Sequence, residues 1–230
     1  MKKKILIIED EKAIRMALED DFIAEGYRVD SATTGTVGLQ KGSEPNYDII
    51  LLDIMLPEMD GFEVLKELRK RNVRTPIIML TAKSLEIDKI LGLEFGADDY
   101  VTKPFSPREL QSRIKAVLRR VNIKPGLSTE TQFSFGKISV DFQKCECFKG
   151  DENILLTTLE FDLLKFLINH KGEVVNRDLI MHEVWGGEVF VAPRTVDTHI
   201  LNLRKKIEDN PSQPKWIIGI RGRGYKFLSS

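Results

Sequence analysis

The sequence predicts two joined domains. The first, up to about residue 121, is a five-stranded, doubly wound parallel α/β sheet; the second, from about residue 133 to 230, is a smaller α+β domain. Three observations carry this expectation. Short apolar runs of strand length alternate five times with longer stretches of helical period, as in parallel strands joined by crossover helices. The alternation stops at "NIKPGLSTETQ" (122–132), whose proline, glycine and small polar residues read as a linker. Beyond it short strands come first, then three helical segments, then two apolar-rich runs around a glycine turn.

Element by element, "KILIIED" is a strand, and "KAIRMALEDDFIAEGY" a helix closed by Gly26. "YRVDSAT" is a strand followed by the glycine-interrupted helix "GTVGLQKG". "YDIILLDI" and "FEVLKELRKR" form the third pair, and "PIIMLTA" and "LEIDKILGLEFG" the fourth. The fifth is "DDYVTKPF" with "SPRELQSRIKAVLRRV", where Ser106 suits an N-cap and Pro107 the first helical position. After the linker, "FSFGKISVDF", "KCECFKG" and "NILL" read as strands. The helices "TTLEFDLLKFL", "NRDLIMHEVW" and "PRTVDTHILNLRKKIE" follow, the first with Thr157 and Glu160 spaced as a capping box. "WIIGI" and "GYKFL" flank "RGRG" and predict a hairpin.

Composition excludes several classes. A hydrophobic fraction of 42% with 30% charged residues describes an ordinary globular chain. No apolar run approaches the ~18–20 residues that cross a bilayer, and "MKKKILIIED" is too short in its apolar part for a signal peptide. A cytoplasmic protein with no membrane partner is expected. Cys145 and Cys147, spaced C-x-C, would share one face of a strand; without a second pair they do not suggest zinc. The formal net charge is zero, yet from Arg194 to Lys226 eight basic residues face three acids.

The chemistry concentrates at strand ends. In open α/β sheets ligands bind beyond the carboxyl ends of the strands. The first strand ends in Glu9-Asp10, the third in Asp53, the fourth in Thr81, and the fifth runs into Lys103-Pro104. Adjacent first and third strands would bring three carboxylates together, a repulsive set unless a cation neutralises it. Oxygen-only ligands open to water suit Mg²⁺. A carboxylate held there can act as a nucleophile toward phosphorus, with Lys103 and Thr81 to receive the phosphoryl oxygens.

These residues, with "LLDIMLPEMDG", "LTA" and "GADDYVTKPF" around them, resemble the receiver domain of bacterial two-component response regulators. The resemblance implies a flavodoxin-like fold in which Asp53 accepts phosphate from a sensor histidine kinase. Glu9, Asp10, Asp53 and the Met55 backbone carbonyl would hold Mg²⁺. Lys103 would pair with the phosphate, and Thr81 would turn toward it as Tyr100 swings inward. A cis Lys103-Pro104 bond is also implied. Catalysis would extend only to self-phosphorylation and slow hydrolysis, so the chain is not expected to be an enzyme.

In the last helix Val196, Ile200, Leu203 and Ile207 form a core stripe. The remaining surface is expected to show Thr195, Thr198, His199, Asn202, Lys205 and Lys206, with Arg194 and Arg204 alongside. Such a helix fits the major groove of DNA, and a glycine-rich turn lets Arg221 or Arg223 approach the minor groove. This half resembles the winged-helix effector domain of OmpR/PhoB-type regulators, carried by "LTTLEFDLLKFL", "RTVDTHILNLRKKIE" and "RGRGYKF". The resemblance implies that His199 and Arg204 touch phosphates while Thr198 and Asn202 face base edges, and that "GGEVFVAP" lies where the family contacts RNA polymerase. Leu201-Asn202 departs from the basic residues common there, which suggests an A·T-leaning contact. His170 suits a helix C-terminus and His182 a packing or capping role.

Lys89, Glu94, Asp98 and Asp99 are matched in charge by Glu109, Arg113, Lys115 and Arg120. In this family similar residues pair across a two-fold axis, so a phosphorylation-dependent homodimer on direct-repeat DNA is expected. Three rivals compete. A Mg²⁺-dependent aspartyl phosphatase would need a second acid where Met55 stands. A regulator indifferent to phosphorylation would typically lack one of the pocket residues. An RNA binder would show surface aromatics that stack bases.

Overall fold

The computed structural model describes residues 2–81, 95–122, 131–186 and 193–229, with the side chains of 119–122, 193 and 194 outside that description. The chain divides into two units, Met1–Leu118 and Arg119–Ser230. Each is taken by itself.

The first unit is a parallel sheet of β1 (Lys4–Ile8), β2 (Arg28–Ala32), β3 (Ile49–Asp53), β4 (Ile77–Thr81) and β5 (Asp99–Thr102) in the order β2-β1-β3-β4-β5. The order reverses between β1 and β3, which makes the crevice above those two strands the natural ligand site. The described helices are α1 (Lys12–Ala24), α2 (Gly35–Gly42), α3 (Gly61–Lys70) and α4 (Pro107–Asn122). The fourth helical segment read from the sequence, "LEIDKILGLEFG", lies almost wholly outside the described residues.

Strand parity explains the continuous apolar runs. Ile5, Ile7, Ile49, Leu51, Ile78 and Leu80 pack with Leu18 and Phe22 of α1 and with Leu110, Ile114 and Val117 of α4. The alternate residues Leu6, Ile8, Ile50, Leu52, Ile77 and Met79 pack on the other face with Leu39 of α2 and Val64, Leu65 and Leu68 of α3. A strand covered on both faces has no solvent side, so its sequence does not alternate.

Local signals set the helix ends. Thr34 Oγ1 and an Asp60 carboxylate oxygen accept the Val37 and Glu63 amides as N-caps, and Ser106 Oγ accepts from the Glu109 amide. Gly26 ends α1 with φ +89°. Gly61 serves a different purpose. A Cβ there would lie 2.1 Å from the Asp53 carbonyl oxygen, and its amide donates to the Ile54 carbonyl at 2.8 Å. Only a residue without a side chain lets α3 start against the end of β3.

The second unit opens with an antiparallel sheet of β6 (Gln132–Phe135), β7 (Ile138–Asp141), β8 (Glu146–Lys149) and β9 (Glu152–Asn153). Helix α5 (Thr158–Asn169) carries the full Thr157/Glu160 capping box. Helix α6 (Arg177–Ile180) runs on into a π-helical turn, Met181–Trp185, and α7 spans Pro193–Ile207. The closing hairpin, β11 (Ile217–Ile220) and β12 (Gly224–Phe227), is joined by β10 (Val174–Val175) in the order β10-β12-β11. Buried Leu159, Leu163, Leu167, Trp185, Val196, Ile200, Leu203, Ile207, Ile217 and Phe227 make up much of its core.

Two strand readings are corrected here. Cys145 is not on the strand with Cys147: it sits in the preceding turn with φ +52°, exposed, while Cys147 is buried in β8. Of "NILL" only Asn153 is in a strand, and the two-residue β10 was not foreseen because two valines carry no periodicity.

Burial pushes the Cys147 thiol up to about 11, so it stays protonated and unreactive at neutral pH. A thiol reagent should therefore label one cysteine quickly in the native protein and both in denaturant; fast native labelling of both would contradict the buried placement. Gly61→Ala should lower the denaturant-unfolding free energy by about 1–3 kcal/mol, as overpacking does, and an unchanged midpoint would show that the loop after β3 can move aside.

Candidate functional site: a strand-end carboxylate pocket and a basic helix

Parallel register builds the pocket. Ile8 pairs with Leu52 across β1 and β3, so the next residues along the two strands, Glu9 and Asp53, come side by side. The Glu9 amide continues the ladder to the Ala32 carbonyl, which holds the backbone of the acid pair in place. Arg15, one turn into α1, donates to the Glu9 carbonyl at 2.9 Å and the Asp10 carbonyl at 3.0 Å. It stiffens the "ED" corner, a role not read from the sequence because backbone carbonyls leave no motif.

Glu9, Asp10 and Asp53 each offer a carboxylate oxygen, all within 4.8 Å of one another. Glu9 is fully buried and Asp53 and Thr81 are each 3% exposed, whereas Asp10 is open to solvent. Lys103 Nζ bridges the set, 2.6 Å from Glu9 Oε2 and 3.0 Å from Asp53 Oδ2. Burial, with Asp53 nearby, raises the Glu9 pKa against the opposing pull of Lys103. Burial alone would lower the Lys103 pKa, but its two carboxylate partners outweigh it and raise the value, so the ammonium stays charged. The Lys103 amide also donates to the Thr81 carbonyl, and Lys103-Pro104 is cis.

The donor set is all oxygen, carries three carboxylates against one ammonium, and includes a buried oxygen, Asp53 Oδ1, with no hydrogen-bond partner among the described residues. Such a set fits a hard divalent cation. Tyr100 is half-buried on β5, and Met55 is 65% exposed just past β3.

The residues read as a two-fold interface are largely engaged within one chain. Asp98, 1% exposed, accepts from Arg69 at 3.0 Å and from the Ile77 amide at 2.9 Å. Asp99, equally buried, accepts from Arg113 at 3.0 Å, and Arg113 also binds Glu109. This corrects the surface reading of Asp98, Asp99 and Arg113. Their burial turns them into intramolecular clamps on β5. Lys115 and Glu109 remain accessible, with Lys115 3.6 Å from Glu25. Lys89, Glu94 and the side chain of Arg120 lie outside the described residues.

The second unit brings only part of its basic set to the surface. Lys205, Arg221 and Arg223 are exposed and Thr198 is half-buried. Thr195, His199 and Asn202 are 2%, 2% and 5% exposed, which corrects their expected place on the outer face. They lie on the flank of α7 next to its apolar stripe, and the His199 ring packs 5.3 Å from Trp185. Arg204 donates twice to the Ile217 carbonyl, and Lys206 donates to the Leu155 carbonyl and to Glu160. Both are spent largely on holding α7 to its neighbours. The side chain of Arg194 and the "GGEVFVAP" loop lie outside the described residues, apart from Gly186 and the backbone of Pro193.

Sequence reasoning also missed a cluster near the turn of the hairpin. Asp197 Oδ1 accepts from Arg177 at 2.7 Å and from the Tyr225 hydroxyl, while Arg177 and Arg204 both lie over the Tyr225 ring. Burial and the bond to Asp197 push the Tyr225 hydroxyl up to about 12. Four residues from three separate segments leave no pattern in the chain.

Comparison with known proteins agrees with both halves. The response regulator receiver domain matches residues 5–115, and the C-terminal domain of transcriptional regulatory proteins matches 151–227. The alkaline phosphatase synthesis transcriptional regulatory protein PhoP of Bacillus subtilis is 45% identical over 232 residues, 98% of this chain and 97% of PhoP. The probable transcriptional regulator ycf27 of Guillardia theta is 45% identical over 98% of this chain and 91% of its own. Among solved structures, a RitR mutant superposes with a TM-score of 0.82 at 28% identity, over 99% of this chain and 100% of RitR. DrrB, an OmpR/PhoB homologue of Thermotoga maritima, does so with a TM-score of 0.52 at 35% identity over the same shares. A receiver sheet carrying a strand-end carboxylate pocket, joined to a winged-helix unit and matched end to end by transcriptional regulators, places this chain in the OmpR/PhoB-type response regulators, phosphorylation-regulated transcription factors that work with a histidine kinase and DNA.

Proposed function

We propose that Asp53 is the phosphoacceptor and that Glu9, Asp10, Asp53 and the Met55 backbone carbonyl hold Mg²⁺. The observation that supports this best is the convergence of three carboxylates on one ammonium around a buried, unpartnered Asp53 oxygen. Mg²⁺, when bound, offsets the charge of the acids and of the arriving phosphoryl group.

The chain's own residues do the rest. The bond from phosphorus to the histidine nitrogen of the kinase breaks as a bond from phosphorus to an Asp53 carboxylate oxygen forms. Asp53 is presented at a fixed strand end, so little orientation remains to be found. Lys103, released from sharing two carboxylates, pairs with the phosphoryl oxygens. Thr81, at the end of the neighbouring β4, turns its hydroxyl toward the same group, and Tyr100 on β5 follows by moving inward.

The output in this reading is a homodimer that sets two winged helices on direct-repeat DNA in the cytoplasm, with Arg194, Thr198, Lys205, Arg221 and Arg223 toward the duplex and the loop after Gly186 toward RNA polymerase. Lys115 and Glu109 remain the accessible part of the charged face. Among the described residues no helix is long and apolar enough to cross a membrane.

Two measurements check the reading. With acetyl phosphate and Mg²⁺, intact-mass spectrometry should show one added phosphoryl group on the wild type. None should appear on Asp53→Ala, or on the wild type with the metal chelated; modification of Asp53→Ala would move the acceptor elsewhere. Lys115→Glu should weaken phosphorylation-dependent self-association by roughly tenfold, since two symmetric pairs of ~0–1 kcal/mol each change sign. Unchanged sedimentation of that variant would remove this face from the dimer. Arg113→Glu is a poor probe, because it would bury a like charge beside Asp99.

A further inference from the structure

We propose that Leu201 is a base-reading residue, and that it selects a thymine methyl in the DNA site. This rests on the reading of the second unit as a DNA binder.

On α7, the line farthest from the core runs through positions 194, 198, 201 and 205, each one turn from the next. Leu201 is the only large hydrophobic side chain of that helix exposed among the described residues, at 37%. Thr198 stands one turn before it and the exposed Lys205 one turn after.

The acids that would repel a duplex here are already committed. Asp197, beside Leu201 on the helix wheel, is bound by Arg177 and Tyr225. The Glu208 carboxylate, 4% exposed, accepts the amides of Lys215, Trp216 and Ile217 at 2.9–3.0 Å. The outward line of α7 therefore presents a hydroxyl-bearing residue, an apolar side chain and a cation. Phosphates suit Lys205. The apolar place has one natural partner in the major groove, the C5-methyl group of thymine, which no other unmodified base carries.

Asn202, the neighbouring candidate for base contact, is turned into the protein. Selectivity at this step thus falls to methyl contact rather than to an amide fork on adenine.

The test uses the full chain treated with acetyl phosphate and Mg²⁺. Duplexes are enriched from a randomised library, and each thymine of the recovered site is then replaced singly by deoxyuridine, which removes only the methyl. At one thymine per half-site the loss should weaken binding roughly fourfold, the effect of uncovering one methyl-sized group. Leu201→Ala should erase that difference while leaving the dependence of binding on salt unchanged; Leu201→Met should keep most of it. A recovered site with no thymine-to-uracil effect, or one whose effect survives in Leu201→Ala, overturns the assignment alone. Failure to enrich any duplex overturns the DNA-binding reading and the assignment with it.

Discussion

The receiver unit depends on one arrangement, a lysine ammonium suspended between two carboxylates at the ends of adjacent parallel strands. Coulomb repulsion among Glu9, Asp10 and Asp53 would oppose the register that brings β1 beside β3. The ion pairs from Lys103 make that register tolerable. No second cation pairs with these three carboxylates among the described residues, so the charge balance stays incomplete. An incompletely neutralised, partly buried acid cluster of this kind fits a divalent cation. In the proposed phosphorylation of Asp53, a phosphoryl group would change that balance and give Lys103 a new partner.

The effector unit resolves charge in the opposite sense. Two acids of α7 and its end are engaged within the unit, Asp197 by Arg177 and Tyr225, Glu208 by three consecutive backbone amides. Several basic residues are absorbed as well: Arg204 and Lys206 fasten α7 to Ile217 and Glu160. Among the described residues of α7 and the hairpin tip, the exposed cations are Lys205, Arg221 and Arg223.

Fold class was legible because both apolar periodicity and turn chemistry are local. Ile49 to Leu52 announce a doubly covered strand, Thr157 and Glu160 a helix start, and Gly26 a helix end, each within a few residues. The pocket was legible for a related reason: strand ends are identifiable, and parallel order brings successive ends together. Helix faces were not. Period alone marks Val196, Ile200, Leu203 and Ile207 as inward, but cannot say how far burial spreads to either side. Thr195, His199 and Asn202 fall on that margin, and tertiary packing, for His199 against Trp185, decided against exposure. The charged pairs on β5 failed likewise, since an acid in "GADDY" looks the same whether its partner is Arg69 in the same chain or a residue of another copy.

Those two acids bear on how a signal could leave the pocket. Strand parity sends Asp98 to the α3 face, where Arg69 also binds the Gly96, Val73 and Thr75 carbonyls, and sends Asp99 to the α4 face, to Arg113. The start of β5 is thus clamped from both sides by buried ion pairs, and breaking one by removing a partner costs about 3–5 kcal/mol. Tyr100 and Lys103 follow directly on this clamped strand. A phosphoryl group at Asp53 cannot cheaply slide β5 as a body. In the proposed reading it would instead redirect side chains carried by a fixed backbone: the Lys103 ammonium, the Thr81 hydroxyl and the half-buried Tyr100 ring. The proposed switch would then be a repacking of side chains on a rigid sheet, with the clamp confining each move to the carboxyl end of β5.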